Sequence, residues 1–331
     1  MASTVTTASL PALIDRTAPL QFVINAASGS HEPATICQVI EDVLQLYGRT
    51  GKLWVASPGQ LPHVAQQAAS VAVEQHSAVV AVGGDGTINA VAQATHALGC
   101  AMGVVPQGTF NYFARTHGLP TDATLALQTL LTCEALPVQV GLMNTRVFLV
   151  NASLGLYPEL LQDRETFKAR FGRSRLVAFG SAVVTLFGAH RLLKLRIERA
   201  GKSDDITTPT LFIGNNRLQL EQVGLAQASA LDQGCLAAVM LRPIGLLAMF
   251  WLLLRGSFGT LGDTDTVESF QFHRMVVKPR LDWHGLKLKV AFDGEVGWMR
   301  APIEFRVSPT PLYLIKPRSE DGSTGGVEDV P

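Results

Sequence analysis

Residues 78–90, AVVAVGGDGTINA, join a short apolar run to a glycine-rich turn and the start of a helical pattern. The run 78–82 is rich in valine and bounded by glycine, which is typical of a strand that is covered on both faces in a parallel sheet. One face of the helical pattern is formed by Ile88, Val91 and Thr95. The segment therefore predicts an α/β sheet with this strand at its centre.

The glycine turn of this segment has two interpretations. A strand, a glycine turn and a helix bring backbone N–H groups and a helix N-terminus up to a phosphate. In that case Asp85 would face a divalent cation beside the phosphate, and Thr87 would offer a hydroxyl. Alternatively, the turn is simply tight, and Asp85 or Thr87 caps the helix. The turn lacks the Gly-Lys-Ser/Thr ending of a Walker A loop and the spacing of a dinucleotide-binding fingerprint.

Composition restricts the class of protein. The chain has 331 residues, 47% of them hydrophobic, which is enough for two cores. Its 27 basic residues equal its 27 acidic residues, so no overall charge favours nucleic acid. The four cysteines lie far apart without metal-binding spacing, and we expect reduced thiols in a cytoplasmic protein.

The chain divides into two predicted domains. Strand and helix patterns alternate from residue 20 to residue 131, which predicts a doubly wound α/β domain over 19–136. Short strand patterns separated by turn residues then predict a β-rich domain over 137–317. Its expected strands are 138–140, 147–150, 195–197, 210–213, 236–241, 269–277, 286–292 and 303–307. We expect the polar ends, 1–18 and 318–331, to be disordered tails.

Two apolar stretches, 176–189 and 243–254, need to be tested as membrane segments. Each is shorter than the roughly 20 residues that a spanning helix requires. The sequence therefore predicts that neither crosses a bilayer. Either they are buried core helices, or they form a surface that touches lipid, since both are flanked by arginine.

Two further turns follow predicted strands of the first domain. Asn25, Ser28 and Gly29 follow the first strand, and Gly108, Thr109 and Asn111 follow the fourth. Turns at the carboxyl ends of parallel strands face one crevice, where open α/β sheets bind ligands. For the first of these turns, an ordinary loop with a serine helix cap remains an equal alternative.

Taken in order, these motifs resemble the diacylglycerol kinase catalytic-domain superfamily, which includes bacterial diacylglycerol kinases, related lipid kinases and sphingosine kinases. The segment 83–89 resembles its glycine-rich signature, 106–115 its second motif, and Asn25 with Ser28 and Gly29 its first nucleotide loop. Residues 151–155 resemble the opening of its second domain, and 292–295 its C-terminal motif. A lone Gly-Gly-Asp-Gly-Thr also occurs in NAD kinases and phosphofructokinases, so the order of the set provides the specificity.

The resemblance implies an ATP-dependent lipid kinase with a nucleotide-binding α/β domain, a β-sandwich-like second domain and an active site between them. The implied nucleotide-binding residues are Asn25, Ser28, Gly29, Ser57, Gly83, Gly84, Asp85, Gly86, Thr87, Asn89, Gly108, Thr109 and Asn111. Asp293 and Glu295 are implied to supply the acid that accepts the proton of the lipid hydroxyl, without deciding which of them does so. From the residues alone, Asp293 and Gly294 predict a hairpin turn rather than a catalytic site.

The implied cofactors are ATP and Mg²⁺, with Asp85 as one candidate metal ligand. Asp232 is either a second ligand or a turn carboxylate. The implied acceptor is diacylglycerol or a related membrane lipid, and the product resembles phosphatidic acid. We therefore expect a cytoplasmic protein that contacts the inner face of the membrane and does not bind nucleic acid. The oligomeric state, including a homodimer, stays open.

Two other functions stay open, the first because of three departures from the family pattern and the second because the Gly-Gly-Asp-Gly-Thr motif is shared with other kinases. Ala90 stands where many relatives carry Glu, Tyr112 where Asp is common, and Gln233 where bacterial members have a Mg²⁺-binding Asp. An amide is a poorer Mg²⁺ ligand than a carboxylate. One alternative is a nucleotide-binding regulatory protein without turnover. The other is a kinase of a soluble acceptor such as NAD or a sugar phosphate.

Overall fold

The computed structural model describes residues 14–27, 33–155, 192–222, 234–243, 267–280 and 285–318. The predictions for Ser28, Gly29, Asp232 and Gln233 lie outside these ranges, as do those for 176–189 and for all but the first residue of 243–254. Among the described residues, no helix combines the length and the apolar character needed to cross a membrane.

The first domain is built on a six-stranded sheet with the strand order β2-β1-β3-β4-β18-β5. Its strands are β1 (Leu20–Asn25), β2 (Gly51–Ala56), β3 (Ala78–Gly83), β4 (Ala101–Pro106), β5 (Glu134–Val138) and β18 (Leu312–Lys316). Its helices are α1 (Pro33–Leu46), α2 (Leu61–Glu74), α3 (Asp85–Leu98), the short α4 (Tyr112–Thr116) and α5 (Ala123–Thr132). All neighbouring strands are parallel except β18 and β5.

Strand β3 shows why the central segment determines this architecture. Val79 and Ala81 belong to the core under α2 and α3, whereas Ala78, Val80 and Val82 belong to the core under α1 and α5. Side chains on alternate sides of a strand are thus buried under helices on both faces of the sheet. The predicted doubly wound α/β fold is confirmed.

The second domain contains two six-stranded antiparallel sheets. One has the order β10-β9-β14-β17-β6-β7 and the other β13-β12-β11-β8-β15-β16. The strands are β6 (Gly141–Met143), β7 (Arg146–Phe148), β8 (Asn151–Gly155), β9 (Leu193–Arg199), β10 (Lys202–Thr208), β11 (Thr210–Gly214), β12 (Leu236–Leu241), β13 (Val267–Phe272), β14 (Arg274–Pro279), β15 (Lys287–Phe292), β16 (Glu295–Arg300) and β17 (Ile303–Val307). A short helix, α6 (Arg217–Gln222), follows β11.

One hydrophobic core joins the two sheets. Ile197, Met275 and Phe305 come from the first sheet, while Leu154 and Phe292 come from the second. All five side chains are at most 4% exposed. Apolar faces of two antiparallel sheets that bury each other form a β-sandwich, as the sequence predicts for this half of the chain.

The last strand of the chain returns to the first domain. β18 lies between β4 and β5, where Leu314 is paired with Met102 in parallel and with Leu136 in antiparallel orientation. The domain range predicted from the sequence, 137–317, includes residues 312–316, which instead form a strand of the first-domain sheet. Residues 14–18, expected in the tail, are described, and Ala18 is buried.

Most sequence-predicted strands coincide with observed ones, but two patterns were misread. The single expected strand 269–277 is two strands, β13 and β14, separated at His273. Strands β10 and β16 were not predicted, because their solvent-facing positions carry charged and polar residues that resemble a loop composition. The apolar strand β18 was not predicted either. The expected strand 138–140 overlaps β5 only at Val138 and ends before β6 begins at Gly141, and most other expected boundaries differ from the observed ones by a few residues.

Candidate active site

Two glycine turns meet at the carboxyl edge of the first sheet. The Gly83 turn follows β3 and the Gly108 turn follows β4, and the Gln107 N–H donates to the Gly83 carbonyl oxygen at 2.8 Å. A Cβ atom added to Gly108 would lie 2.9 Å from the Gly84 Cα atom. Contacts this short between a Cβ atom and backbone are essentially absent from proteins, so glycine at 108 allows the two turns to touch.

Asn111 fixes the shape of the second turn. Its backbone is left-handed, with φ of 48°, a conformation that asparagine tolerates better than most residues. Its side-chain oxygen accepts from the Gly108 N–H at 3.0 Å, and its amide donates to the Gly108 carbonyl at 2.8 Å. The side chain thus closes the turn onto itself, which leaves Thr109 and Phe110 exposed at the tip.

The N-terminus of α3 opens toward the same edge of the sheet. The first N–H groups of an α-helix have no partner within the helix, and here they belong to Asp85, Gly86 and Thr87. Asn25, at the end of β1, donates from its amide to the Thr87 hydroxyl at 3.1 Å. A Cβ atom on Gly83 would clash with that hydroxyl. The result is a group of N–H donors without helical partners at the positive end of a helix dipole.

A cavity of about 230 Å³ lies over this helix end. Its lining combines both domains: Asn25, Pro58, Leu61, Pro62, Gly84, Gly86, Thr87, Ala90 and Glu295. The Glu295 Oε1 atom lies 3.7 Å from the position that a Cβ atom on Gly86 would occupy. An exposed carboxylate of the second domain therefore lies directly over the helix N-terminus of the first.

Asp293 lies two residues before Glu295 in a very different environment. It is 9% exposed. Its Oδ2 atom accepts from the Asn89 amide at 2.6 Å and from the Leu149 N–H at 2.7 Å. Its Oδ1 atom accepts from the N–H groups of Val150 and Asn151 at 2.8 and 3.0 Å. Four N–H donors therefore surround this carboxylate, and one of them belongs to the other domain.

Local sequence explains how Asp293 reaches this position. Asp293 and Gly294 have φ values of 45° and 87°, and they connect the paired residues Phe292 and Glu295. A two-residue hairpin loop with positive φ at both positions favours Asp-Gly. The turn directs Asp293 inward toward β8 and leaves Glu295 at the first position of β16, exposed to the cavity. Asp293 therefore belongs to a hairpin turn and lies beside the candidate site at the same time.

Burial raises the pKa of Asp293 to about 6, although the four N–H donors act in the opposite direction. Burial also raises the pKa of Asp85 above its ordinary value, and backbone N–H groups of Asn111 and Tyr112 oppose that shift. The Asp85 Oδ1 atom is buried and has no hydrogen-bond partner within the described part of the chain. An unpartnered carboxylate oxygen beside the N-terminal N–H groups of a helix is suited to a cation that accompanies a bound anion.

Helix α3 also connects the site to the second domain through its side chains. The Gln93 Oε1 atom accepts from the Val147 N–H at 2.9 Å, and the Asn89 amide donates to the Val147 carbonyl at 3.2 Å. On the other side, Asn216 donates to the Thr116 hydroxyl at 2.7 Å. These polar contacts hold β7 against α3 and the end of β11 against α4, so that the cavity is bounded by both domains.

Comparison with known proteins agrees with this geometry. Residues 19–143 match the family model of the diacylglycerol kinase catalytic domain. The resemblance read from the sequence is therefore confirmed. A diacylglycerol kinase from Bacillus subtilis is 26% identical over 294 residues, which cover 86% of this chain and 91% of that protein. A Pseudomonas aeruginosa protein named "Probable lipid kinase YegS-like" is 28% identical over 249 residues, which cover 72% and 76%.

The fold is also found in solved structures. A crystal structure of a diacylglycerol kinase from Bacillus anthracis superposes with a TM-score of 0.64 at 15% identity, covering 90% of this chain and 97% of that one. At that identity the likeness concerns the fold: a parallel α/β domain followed by an antiparallel β-rich region.

The structure brings only some of the sequence-predicted residues to the cavity. Asn25, Gly84, Gly86, Thr87 and Glu295 line it. Gly83 and Asp85 belong to the turn that supplies Gly84 and Gly86, Gly108 and Asn111 belong to the turn that contacts it, and Asn89 donates to Asp293. Ser57 and Thr109 are exposed and do not line the cavity, and the Ser57 hydroxyl donates to Gln60 at 3.0 Å.

Sequence reasoning missed two groups of residues. Pro58, Leu61 and Pro62 at the start of α2 line the cavity, yet apolar residues there look like ordinary packing. The backbone N–H groups of residues 149–151 bind Asp293, and main-chain donors leave no trace in side-chain identity. For the apolar residues at the start of α2, the only available indication in the sequence was that Pro58 follows the end of a strand.

Replacing Gly108 by alanine should weaken the binding of a non-hydrolysable ATP analogue by about 10- to 100-fold. The new Cβ atom would meet the Asn111 side-chain oxygen at 2.7 Å and the Gly84 backbone at 2.9 Å, so the two turns must separate. Calorimetry measures this affinity. Gly59→Ala is the matched control, because its added Cβ meets nothing within 4 Å. Equal affinities for the two variants would contradict contact between the turns as a requirement for binding.

The pKa of Asp293 predicts a pH-dependent contribution to stability. Its folded-state pKa of about 6 exceeds the ordinary 3.8, so the folded state holds the proton more tightly between these values. Stability relative to Asp293→Asn should therefore fall by up to about 3 kcal/mol as pH rises from 4 to 8. Urea unfolding of both proteins across that range measures it. A relative stability that rises with pH would show that the N–H donors outweigh burial.

Proposed function

We propose that the protein transfers the γ-phosphoryl group of ATP to the hydroxyl of diacylglycerol or a closely related membrane lipid. The product is then a phosphatidic-acid-like lipid together with ADP. One observation carries this proposal: a carboxylate of the β-sandwich, Glu295, lies over the helix N-terminus that follows the glycine turn. Phosphate-binding donors and a proton acceptor thereby share one cavity.

The phosphate chain of the nucleotide is assigned to the N-terminus of α3. The N–H groups of Asp85, Gly86 and Thr87 lack helical partners, and the helix dipole favours negative charge at this end. The contact between Gly84 and Gly108 keeps side chains out of the space above them. The cavity volume of about 230 Å³ is suited to a phosphate chain at the closed end of an open cleft.

The donor set around Asp85 fits Mg²⁺. Mg²⁺ is usually held by one or two carboxylates together with substrate phosphates and water, and the Asp85 Oδ1 atom provides one unpartnered oxygen. Among the described residues, no group of three or more His, Cys, Asp or Glu side chains converges on a metal position. Asp85 is therefore the ligand that we assign, and a bound Mg²⁺ would neutralise charge on the phosphates.

Glu295 is assigned as the proton acceptor. The lipid hydroxyl oxygen attacks the γ-phosphorus, the bond from that phosphorus to the β–γ bridging oxygen breaks, and the hydroxyl proton passes to Glu295. Asp293 is the less suitable base, because both of its oxygens already accept two N–H groups each. Its role in this proposal is to position the β15–β16 turn, and with it Glu295, against α3.

The lipid acceptor and the location rest on the relatives. The Bacillus subtilis protein is named a diacylglycerol kinase and the Pseudomonas aeruginosa protein a lipid kinase. We propose the same acceptor class here, and with it a cytoplasmic protein that works at the inner face of the membrane.

The decisive experiment incubates the purified protein with labelled ATP, Mg²⁺ and mixed micelles that contain diacylglycerol. We expect label in a lipid product and ADP in equal amount. NAD and sugar phosphates serve as soluble acceptors in parallel reactions. Transfer to a soluble acceptor alone would replace the lipid assignment. ATP binding without transfer to any acceptor would indicate a regulatory nucleotide-binding protein.

A further inference from the structure

One face of the β15–β16 hairpin points away from the sandwich core. Val290 and Phe292 of β15 point into the sandwich core, so Lys287 and Lys289 point to the opposite side. In the strand register, Lys287 is opposite Arg300 and Lys289 is opposite Trp298. The hairpin face consists of Lys287, Lys289, Val296, Trp298 and Arg300.

This face combines exposed apolar surface with positive charge. Trp298 is 68% exposed and Val296 is 37% exposed. Lys287 and Arg300 are exposed and Lys289 is half-buried. Within the described ranges, no ion pair is formed by any of these three cations. A tryptophan that is exposed to this degree is rare on a soluble surface, and here it lies beside Val296 and three cations.

We propose that the hairpin face docks the protein on an anionic phospholipid surface. Tryptophan is the side chain that favours the membrane–water interface, since its ring is apolar and its N–H is polar. Lysine and arginine near the surface are attracted to anionic headgroups while their stems cover apolar area. An acidic protein partner would satisfy the cations equally, and the vesicle measurement below distinguishes it from a lipid surface, to which the 68% exposed tryptophan is suited.

The position of the face agrees with the proposed function, on which this inference rests. Trp298 lies three residues after Glu295 on the same strand, which is about 10 Å along an extended chain. Because this spacing is odd, the Glu295 side chain leaves the opposite face of β16 from Trp298. β16 is the edge strand of its sheet, so a lipid docked on the hairpin face would reach the proposed proton acceptor around this edge.

A second basic surface is less suited to docking on a membrane. The outer side of the sheet that contains β9, β14 and β17 carries Lys194, Arg196, Arg274, Lys278, Arg280 and Arg306. Three acids, Glu198, Asp205 and Glu304, form ion pairs with all of these except Lys194. The three acids offset half of the six positive charges, and among the described residues none of the exposed large apolar side chains belongs to β9, β14 or β17. It therefore serves as the control surface.

The test measures co-sedimentation of the full-length protein with phosphatidylcholine vesicles that contain 0 or 30 mol% phosphatidylglycerol, with no ATP or diacylglycerol present. We expect binding to the anionic vesicles only. Lys287→Gln/Lys289→Gln should weaken the partition coefficient by about 5-fold for each charge removed. Trp298→Ala should weaken it on the order of 10-fold.

Matched controls distinguish this face from general surface effects. Lys194→Gln/Lys202→Gln removes two exposed lysines from the other sheet, and Leu46→Ala removes a side chain that is 77% exposed on α1. Both should bind like the wild type. Equal losses in the control and test variants would overturn the proposal. So would a dimer that dissociates in Trp298→Ala, which would assign the open edge of β16 to a second copy of the chain.

The outcome is separable from the kinase assignment. The vesicle measurement needs no turnover, so docking can stand while the kinase proposal fails. Conversely, turnover of a short-chain, water-soluble diacylglycerol should be unchanged in Trp298→Ala, whereas turnover of vesicle-embedded diacylglycerol should fall in proportion to binding. An active kinase whose Trp298→Ala variant binds and phosphorylates vesicles normally would refute the docking surface alone.

Discussion

The Glu295→Gln variant is expected to lose about 10²- to 10⁴-fold in kcat with lipid acceptor, while its affinity for ATP stays that of the wild type. Glutamine keeps the size and most contacts of the side chain but cannot accept the hydroxyl proton. Because Glu295 is exposed at the cavity, the substitution leaves no buried group unpaired. Thermal unfolding should therefore be unchanged. Steady-state kinetics in mixed micelles and a melting curve together measure the effect.

Two comparisons make this result specific. Glu74→Gln changes an exposed glutamate at the end of α2, and its kcat should equal that of the wild type. Asp293→Asn tests the alternative base. If Asp293→Asn loses turnover under conditions in which it remains folded, while Glu295→Gln stays active, the proton acceptor is Asp293 and the present assignment is wrong.

The central segment was predictable because burial on both faces leaves a visible pattern. A run such as 78–82 with no polar residue, followed by glycines and an amphipathic pattern, has few structural solutions other than strand, turn and helix. The strand β3, the turn and the helix α3 all occur where that pattern places them. The proximity of the two glycine turns also followed from topology, since parallel strand ends share one edge of the sheet.

Other features could not be predicted, for identifiable physical reasons. The segment Leu312–Lys316 was not predicted as a strand, and nothing in its five residues specifies pairing with β4 rather than with the nearer β17. The different environments of Asp293 and Glu295 depend on which residue the hairpin turn directs inward. That choice is set by the left-handed backbone at 293 and by main-chain donors more than 140 positions earlier in the chain.

Replacement of Asp293 by alanine is expected to lower the free energy of unfolding by about 4 kcal/mol. The change leaves the N–H groups of Leu149, Val150 and Asn151 and the amide of Asn89 without their acceptor. Buried donors that lose a partner cost about 1–3 kcal/mol each, with partial relief by rearrangement or water. Denaturant unfolding measures the loss.

The size of this loss distinguishes an inter-domain connection from an ordinary carboxylate contact. Asp122→Ala removes a helix cap in which the carboxylate accepts from the Leu125 N–H at 2.9 Å, and it should cost only about 1 kcal/mol. The loss in free energy of unfolding for Asp293→Asn should lie between these two values, since the remaining side-chain oxygen still accepts up to two N–H donors. If Asp293→Ala cost no more than Asp122→Ala, the four contacts would not act as a connection between α3 and the sandwich. The position of Glu295 over the cavity would then need another cause.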